Sequence, residues 1–510
     1  MKEFLKSLGR RATDRKGIGN TITVVILIAV VMLNVFSYAI TSAFRLYIYS
    51  PDVNDLSISG STDELFANAM LLEKKVTITF CYPESKLETH DTGSLVLTTA
   101  REFQKRYPEL IELRFVSLLT KMDEAGNIVD FDKYSEDGKN QFKQNSVIFE
   151  SGEGEEWSCR VLTDTASSAG FVDFYTLDAS YNIIAYNGEE VMAAMISWVL
   201  HDEHPVVYLT QNHGETADVA FSNLLTCAGY YVEVINLRKS EIPADAGMII
   251  ISNPTSDFEL SVDGADVRGE INKLEDYLSR GGKLYVALDP YVKKLHNLEA
   301  LLAKWGITLS GKNDENGVLV RNIVRESSEA ITTDGYTFVA THAENDLAKK
   351  VLDRVEKYGN DRILMSQVVS LELDASLGAQ PMLVSGSTSS TYAGGEETDN
   401  SGSYAVAAYS RRAEKDGKTS TVFVMPTAYA TATDAFITET YSNKDFLYAV
   451  FEELFGSNTA PRGCNVVTYR SSILENLTMG AAKTYTAIIL AIPAALAVFG
   501  TVTIIRRKNR

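Results

Sequence analysis

Two long runs without a charged side chain bracket this chain and constrain it more than anything between them. From Gly17 to Phe44 (GIGNTITVVILIAVVMLNVFSYAITSAF) there is no Asp, Glu, Lys or Arg, and about 20 apolar residues suffice for a helix to cross a hydrocarbon core of about 30 Å. Tyr485 to Ile505 (YTAIILAIPAALAVFGTVTII) is a second such run, and membrane helices tolerate a proline such as Pro493. Basic residues flank the outer side of each: Lys2, Lys6, Arg10, Arg11, Arg15 and Lys16 before the first, Arg506-Arg-Lys-Asn-Arg510 after the second. The positive-inside rule then makes 1–16 and 506–510 cytoplasmic tails of a two-pass cell-membrane protein whose large domain is extracellular or periplasmic. A cleaved signal peptide competes for the first run, with small residues near Ala39 and Ala43. Its apolar part exceeds an h-region of about 7 to 15 residues, which favours an uncleaved anchor over 17–44, paired with a second over 485–505.

Charge supports the same division. Removing the six basic and two acidic residues of 1–44 and the four basic residues of 485–510 leaves 38 basic against 65 acidic, a net of −27. So acidic a surface repels phosphate backbones, and nucleic acid is not an expected partner. Four cysteines (Cys81, Cys159, Cys227, Cys464) lie far apart with no Cys-x-x-Cys, offering neither a zinc site nor a redox pair. A Gly-x-x-x-x-Gly-Lys-Ser/Thr sequence is missing, so the chain is not its own ATPase, and so is a Gly-x-Ser-x-Gly elbow. No cofactor is expected.

The outer region predicts two α/β domains, 45–200 and 201–480. In the first, Lys74–Cys81, Ser94–Tyr107 and Ile111–Leu118 form a strand–helix–strand unit. Asn145–Glu150 and Ser158–Thr163 suggest a hairpin, and Gly188–Leu200 an amphipathic helix. Ser61-Thr-Asp-Glu64 has the spacing of a capping box. The second domain alternates strands (Val206–Leu209, Tyr231–Ile235, Gly247–Ser252, Lys283–Leu288) with helices (Asp218–Ala228, Arg268–Arg280, Leu295–Trp305). Such alternation means a parallel sheet covered on both faces. Strands and helices mix after Gly335. Residues 385–403 (SGSTSSTYAGGEETDNSGS) are too polar to bury by composition and predict a mobile surface loop or hairpin tip.

Val206-Val-Tyr-Leu-Thr-Gln-Asn-His-Gly-Glu215 places His213 and Glu215 just after a strand. Asn253 and Asp289 likewise follow strands, so the four can share one rim at the carboxyl ends of the sheet, where ligands bind in such folds. Turn and cap residues are the plainer reading. Glu215, just ahead of the helix near Asp218, would then stabilise its N-terminus. A metal would need a further ligand, and the nearest histidines, His201 and His204, fall at the opposite end of the strand. Asp263-Gly-Ala-Asp266 lacks the alternating oxygens of an EF-hand loop.

In order, Gly188-Glu-Glu, Val206 to Glu215, Ile249-Ile-Ile-Ser-Asn-Pro254 and Tyr277-Leu-Ser-Arg-Gly-Gly-Lys-Leu-Tyr-Val-Ala-Leu-Asp-Pro290 resemble the gliding-motility auxiliary family of ABC transport systems (GldG-like). Asn443-Lys-Asp-Phe-Leu-Tyr-Ala-Val-Phe-Glu-Glu-Leu454 looks like that family's closing helix. The resemblance implies flavodoxin-like parallel-sheet domains with a class I glutamine-amidotransferase-like central fold. It also implies an extracytoplasmic auxiliary subunit beside a multi-span permease and a cytoplasmic ATPase subunit; the outer domains are then expected to bind a partner protein or a surface polymer, with a solute as a further candidate. Where the fold analogy places a thiol nucleophile, this chain has Asp289-Pro290. A non-enzymatic role is therefore expected. The rivals are a stand-alone receptor for carbohydrate or solute and a degenerate hydrolase.

Overall fold

The computed structural model describes residues 56–468, apart from 72, 135–142, 163–170, 178–179, 181, 202, 262–267, 401, 415–416, 438–439 and 457–459. Both predicted membrane segments, the basic tails and the Asp263–Asp266 stretch lie outside the described residues. Among the described residues no helix is long and apolar enough to cross a membrane.

The fold is mixed α/β. Helix α1 (Ser61–Leu71) leads into β1 (Val76–Phe80), α2 (Gly93–Arg106) and β2 (Ile111–Ser117), with β1 and β2 parallel. Strands β3 (Met122–Asp123), β4 (Val147–Ser151) and β5 (Ser158–Leu162) add antiparallel pairings, in the order β3-β2-β1-β4-β5. This first sheet is mixed rather than parallel, because β4 and β5 return as the expected hairpin. The predicted capping box does not form. Ser61 is already helical, and the Glu64 carboxylate reaches across to Lys357 Nζ and Tyr358 Oη.

Helix α3 (Gly188–Leu200) is buried at every position, not amphipathic as predicted. Its residues belong to an apolar core that runs from Val76 and Phe80 of β1 to Val207 and Tyr285 beyond it. A helix enclosed on all sides needs no polar stripe. Gly188 opens it because a Cβ there would lie 2.0 Å from Tyr186 Oη.

The second sheet begins with β6 (Val206–Thr210), followed by α4 (Val219–Cys227), β7 (Tyr231–Ile235), β8 (Ala246–Ser252), α5 (Glu270–Ser279), β9 (Lys283–Ala287) and α6 (His296–Lys304). These strands pair in parallel as β7-β6-β8-β9. Along β9, Leu284 and Val286 enter one core while Tyr285 and Ala287 enter the other. Both faces are thus covered, which accounts for the unbroken apolar runs in sequence. Gly281, at φ +89°, ends α5.

From Ile323 onward the architecture changes character. Strands β10 (Ile323–Arg325), β11 (Thr337–His342), β12 (Ile363–Ser366), β13 (Ala379–Val384), β14 (Ser390–Ala393), β15 (Glu396–Asp399), β16 (Ala405–Ala413) and β17 (Thr419–Met425) follow, with α7 (Asp346–Glu356) between β11 and β12. Only β17 joins in parallel, beside β9; β16, β13, β11 and β12 extend the sheet antiparallel. Helix α8 (Asn443–Val450) continues as one π-helical turn, Phe451–Phe455, and a short strand, Val467–Thr468, follows it.

Residues 385–403 hold a built hairpin. Strand β14 pairs with β10 and β15, and Ser385, Ser389 and Thr391 are buried. The polarity that argued against burial is satisfied internally. The buried Glu326 carboxylate accepts from Ser327 N (2.7 Å), Ser328 N (2.9 Å), Ser389 Oγ (2.5 Å) and Thr388 Oγ1.

Candidate functional site

The loops that leave the carboxyl ends of β6, β8, β9 and β17 hold all four residues singled out in sequence. After β6 the chain turns through Asn212 (φ +85°) and Gly214 (φ +74°). A Cβ at Gly214 would meet Thr255 Oγ1 at 2.1 Å, so only glycine fits. The His213 carbonyl accepts from Thr255 N at 2.8 Å and Ser256 N at 2.9 Å, joining the β6 loop to the β8 loop.

The His213 side chain is buried and lies flat on Phe258, with ring centroids 3.9 Å apart. Its Nδ1 is 3.0 Å from Glu215 Oε1, and its Nε2 is 2.9 Å from Glu270 Oε2. With a carboxylate on each ring nitrogen, both nitrogens donate and the ring is an imidazolium. Burial works against that charge, but the bonds from Glu215 and Glu270 overcome it and raise the pKa to about 9. The two carboxyls are held below the ordinary glutamate value, since their bonds to His213 outweigh the effect of burial.

A histidine in this state can do little chemistry. It carries a proton at neutral pH and so is no general base, and neither nitrogen has a lone pair for a metal. Glu215 does not serve the N-terminus of α4 as expected. Its carboxylate turns back, Oε2 accepting from His213 N at 2.6 Å. Asp218 stands before that helix instead and accepts from Thr433 N at 2.7 Å. Glu270 was not singled out in sequence; the only local signal is an acid in the first turn of α5.

Asn253 follows β8 at φ +50° and is buried. Its Nδ2 donates to Thr431 Oγ1 (3.0 Å) and Thr216 O (3.3 Å), while Oδ1 has no partner among the described residues. Thr431 ends the short helix Ala428–Thr431, whose carbonyl also accepts from Asp218 N at 3.3 Å. That segment ties the end of β8 to the stretch that leads from β6 into α4. At β17 the covering comes from 366–369: Thr427 Oγ1 donates to Ser366 O (2.6 Å) and Val369 N to Pro426 O (3.0 Å).

Asp289 makes a turn, its Oδ1 accepting from Tyr291 N at 2.9 Å. No hydrogen bond among the described residues joins Asn253 or Asp289 to the His213 cluster. The four residues therefore share a rim but not a reaction centre. His204 stacks on Trp198 at 3.8 Å, and His201 Nδ1 is 2.7 Å from Ser197 O, both at the amino end of β6. No metal-holding group of three His, Cys, Asp or Glu occurs among the described residues. A cleft of about 450 Å³ lies elsewhere, lined by Glu64, Arg354, Glu452 and Arg462 among others. Its two arginines are already engaged by Glu452 and Glu453.

No protein-family model matches the chain, and no curated protein matches it. Among solved structures it is similar to the mmIFT52 N-terminal domain, at 15% identity and a TM-score of 0.34, over 49% of this chain and 96% of that one. It is also similar to a ThuA-like protein from Bacteroides uniformis, at 12% identity and a TM-score of 0.31, over 50% of this chain and 93% of that one. PurLQS from Thermotoga maritima is similar at 13% identity and a TM-score of 0.26, over 49% of this chain and 99% of that one. Likeness at this level supports no inference about activity.

Proposed function

We propose that this chain is a non-enzymatic, membrane-anchored extracytoplasmic auxiliary subunit of an ABC-type transport or motility-like complex, of the GldG-like kind. The observation that carries the non-enzymatic part is His213, held charged by a carboxylate on each ring nitrogen, while Asn253 at the end of β8 is bonded to Thr431. The strand order β7-β6-β8-β9-β17 is, in chain order, 2-1-3-4-5, the order of flavodoxin-like sheets, whose ligand site is the crevice between β6 and β8. Glu190 in the Gly188-Glu-Glu motif bonds Lys444 Nζ and Tyr448 Oη of α8, both at 2.6 Å, so two motifs behind the family resemblance meet in space.

In this reading, anchors at 17–44 and 485–505 pack beside a multi-span permease, a cytoplasmic ATPase subunit supplies energy, and the outer sheets dock a partner. Purification in mild detergent tests it. The chain should bring down an ATPase–permease pair in fixed ratio. Assembly of that pair without the chain, with the chain recovered alone and binding a sugar or solute saturably, would favour the stand-alone receptor.

A further inference from the structure

Strand β7 is the outermost strand of the second sheet and pairs only with β6 among the described residues. Tyr231 N donates to Pro205 O and Gln211 N to Ile235 O, so Tyr231, Glu233 and Ile235 turn their backbone groups toward β6. In a parallel ladder the amides and carbonyls of Val232 and Val234 then face outward. The strand has no proline, and Val234 and Tyr231 are 61% and 42% exposed. Open edges of this kind are usually blunted by prolines, bulges or covering segments.

A second observation lies at the start of the same strand. Arg160 of β5 stacks over Trp198 (4.6 Å) and Tyr231 (5.7 Å), yet no acceptor among the described residues bonds its guanidinium, and Nε is buried without a partner. Arg106, Arg325, Arg412 and Arg462, which also stack on aromatic rings, each have an oxygen acceptor as well. An unpaired, partly buried guanidinium is costly, and a carboxylate offsets that cost with a bidentate pair.

We propose that β7 is a docking edge for an extended segment of a partner protein, which adds a strand along Val232 and Val234 and sets an acidic side chain on Arg160. A second copy of this chain fits less well. Antiparallel self-pairing of Val232 with Val234 would put Glu233 opposite its own copy, and like charges in that position are destabilising. The inference rests on the reading of the chain as a docking subunit and names the chemistry of what docks.

The test uses the full-length protein in detergent micelles and two synthetic peptides, Thr-Val-Thr-Val-Thr-Val-Asp and its Asn-ended counterpart, both with amidated ends. The Asp peptide should slow exchange of the Val232 and Val234 amides and bind about tenfold more tightly than the Asn peptide, as a charge-assisted bond implies. Arg160→Leu should erase that preference without lowering the melting temperature, because it also removes a buried unpaired charge. Val234→Pro takes away an outward amide that β6 does not use, and should abolish binding with the fold intact. The proposal is overturned if both amides are already protected in the free protein, if the two peptides bind equally, or if Val234→Pro binds as well as the parent. Failure here with an intact ATPase–permease assembly sinks the edge alone; peptide binding without that assembly sinks the subunit reading alone.

Discussion

Ser59 and Asn465 stand near opposite ends of the described chain, yet their backbone amides donate to the two oxygens of one buried carboxylate, Glu189, at 2.6 and 2.8 Å. Asn465 Nδ2 also reaches Ser57 O at 2.8 Å. The segments that lead toward the two predicted anchors are therefore fixed side by side at the N-terminus of α3.

Glu189→Gln replaces one of those acceptors with a donor facing an amide. We expect a loss of about 1 to 3 kcal/mol in unfolding free energy and faster exchange at Ser59 or Asn465, read by denaturant titration and hydrogen exchange. Unchanged exchange at both amides would show that the carboxylate does not hold the chain ends.

The His213 cluster predicts a pH dependence of defined sign. An unfolded histidine titrates near 6.5, whereas here burial is outweighed by Glu215 and Glu270 and the pKa rises to about 9. The resulting stability is fully present below about pH 6.5 and is lost as pH rises through about 9. Full expression amounts to about 3 kcal/mol, obtained as the difference in unfolding free energy between the parent and His213→Gln across pH 6 to 10. That variant also leaves two buried carboxylates without the cation between them, and should be destabilised by about 3 to 5 kcal/mol at pH 7.

Glu326 should control the 385–403 hairpin. Burial opposes its charge, but Ser389, Thr388, Ser328 and Ser327 hold its pKa below the ordinary glutamate value. Its contribution is present above about pH 4 and disappears as pH falls through the depressed folded-state pKa. At neutral pH, Glu326→Gln should cost about 1 to 3 kcal/mol locally, read as faster amide exchange in β14 with β1 and β2 unchanged.

Cys81 and Cys227 should behave as inert thiols. Burial pushes Cys81 up to about 12 and Cys227 higher still, and the thiolate is the reactive form. Iodoacetamide at pH 7.5 should leave both unmodified in the native protein and alkylate both after denaturation, as read by peptide mass spectrometry. Rapid native labelling of Cys227 would reopen the case for a hydrolytic nucleophile.

The sequence by itself determined the alternation from β6 to β9, within a residue or two at most ends. A buried parallel strand is a continuous apolar run and a covering helix has its own period, so both are visible in a short window. It also determined that no thiol follows β9, because Asp289-Pro290 is a local fact. The charge state of His213 was decided only in three dimensions. Glu215 was visible two residues away, but Glu270 arrives from another helix and converts a candidate base into a fixed cation. The same holds for Glu64, taken from its capping box by Lys357 and Tyr358, and for the polar stretch near Ser389, buried because Glu326 accepts its hydroxyls. Hydrogen bonds between distant residues leave no period in the sequence, and they set which polar side chains are buried, charged or free to react.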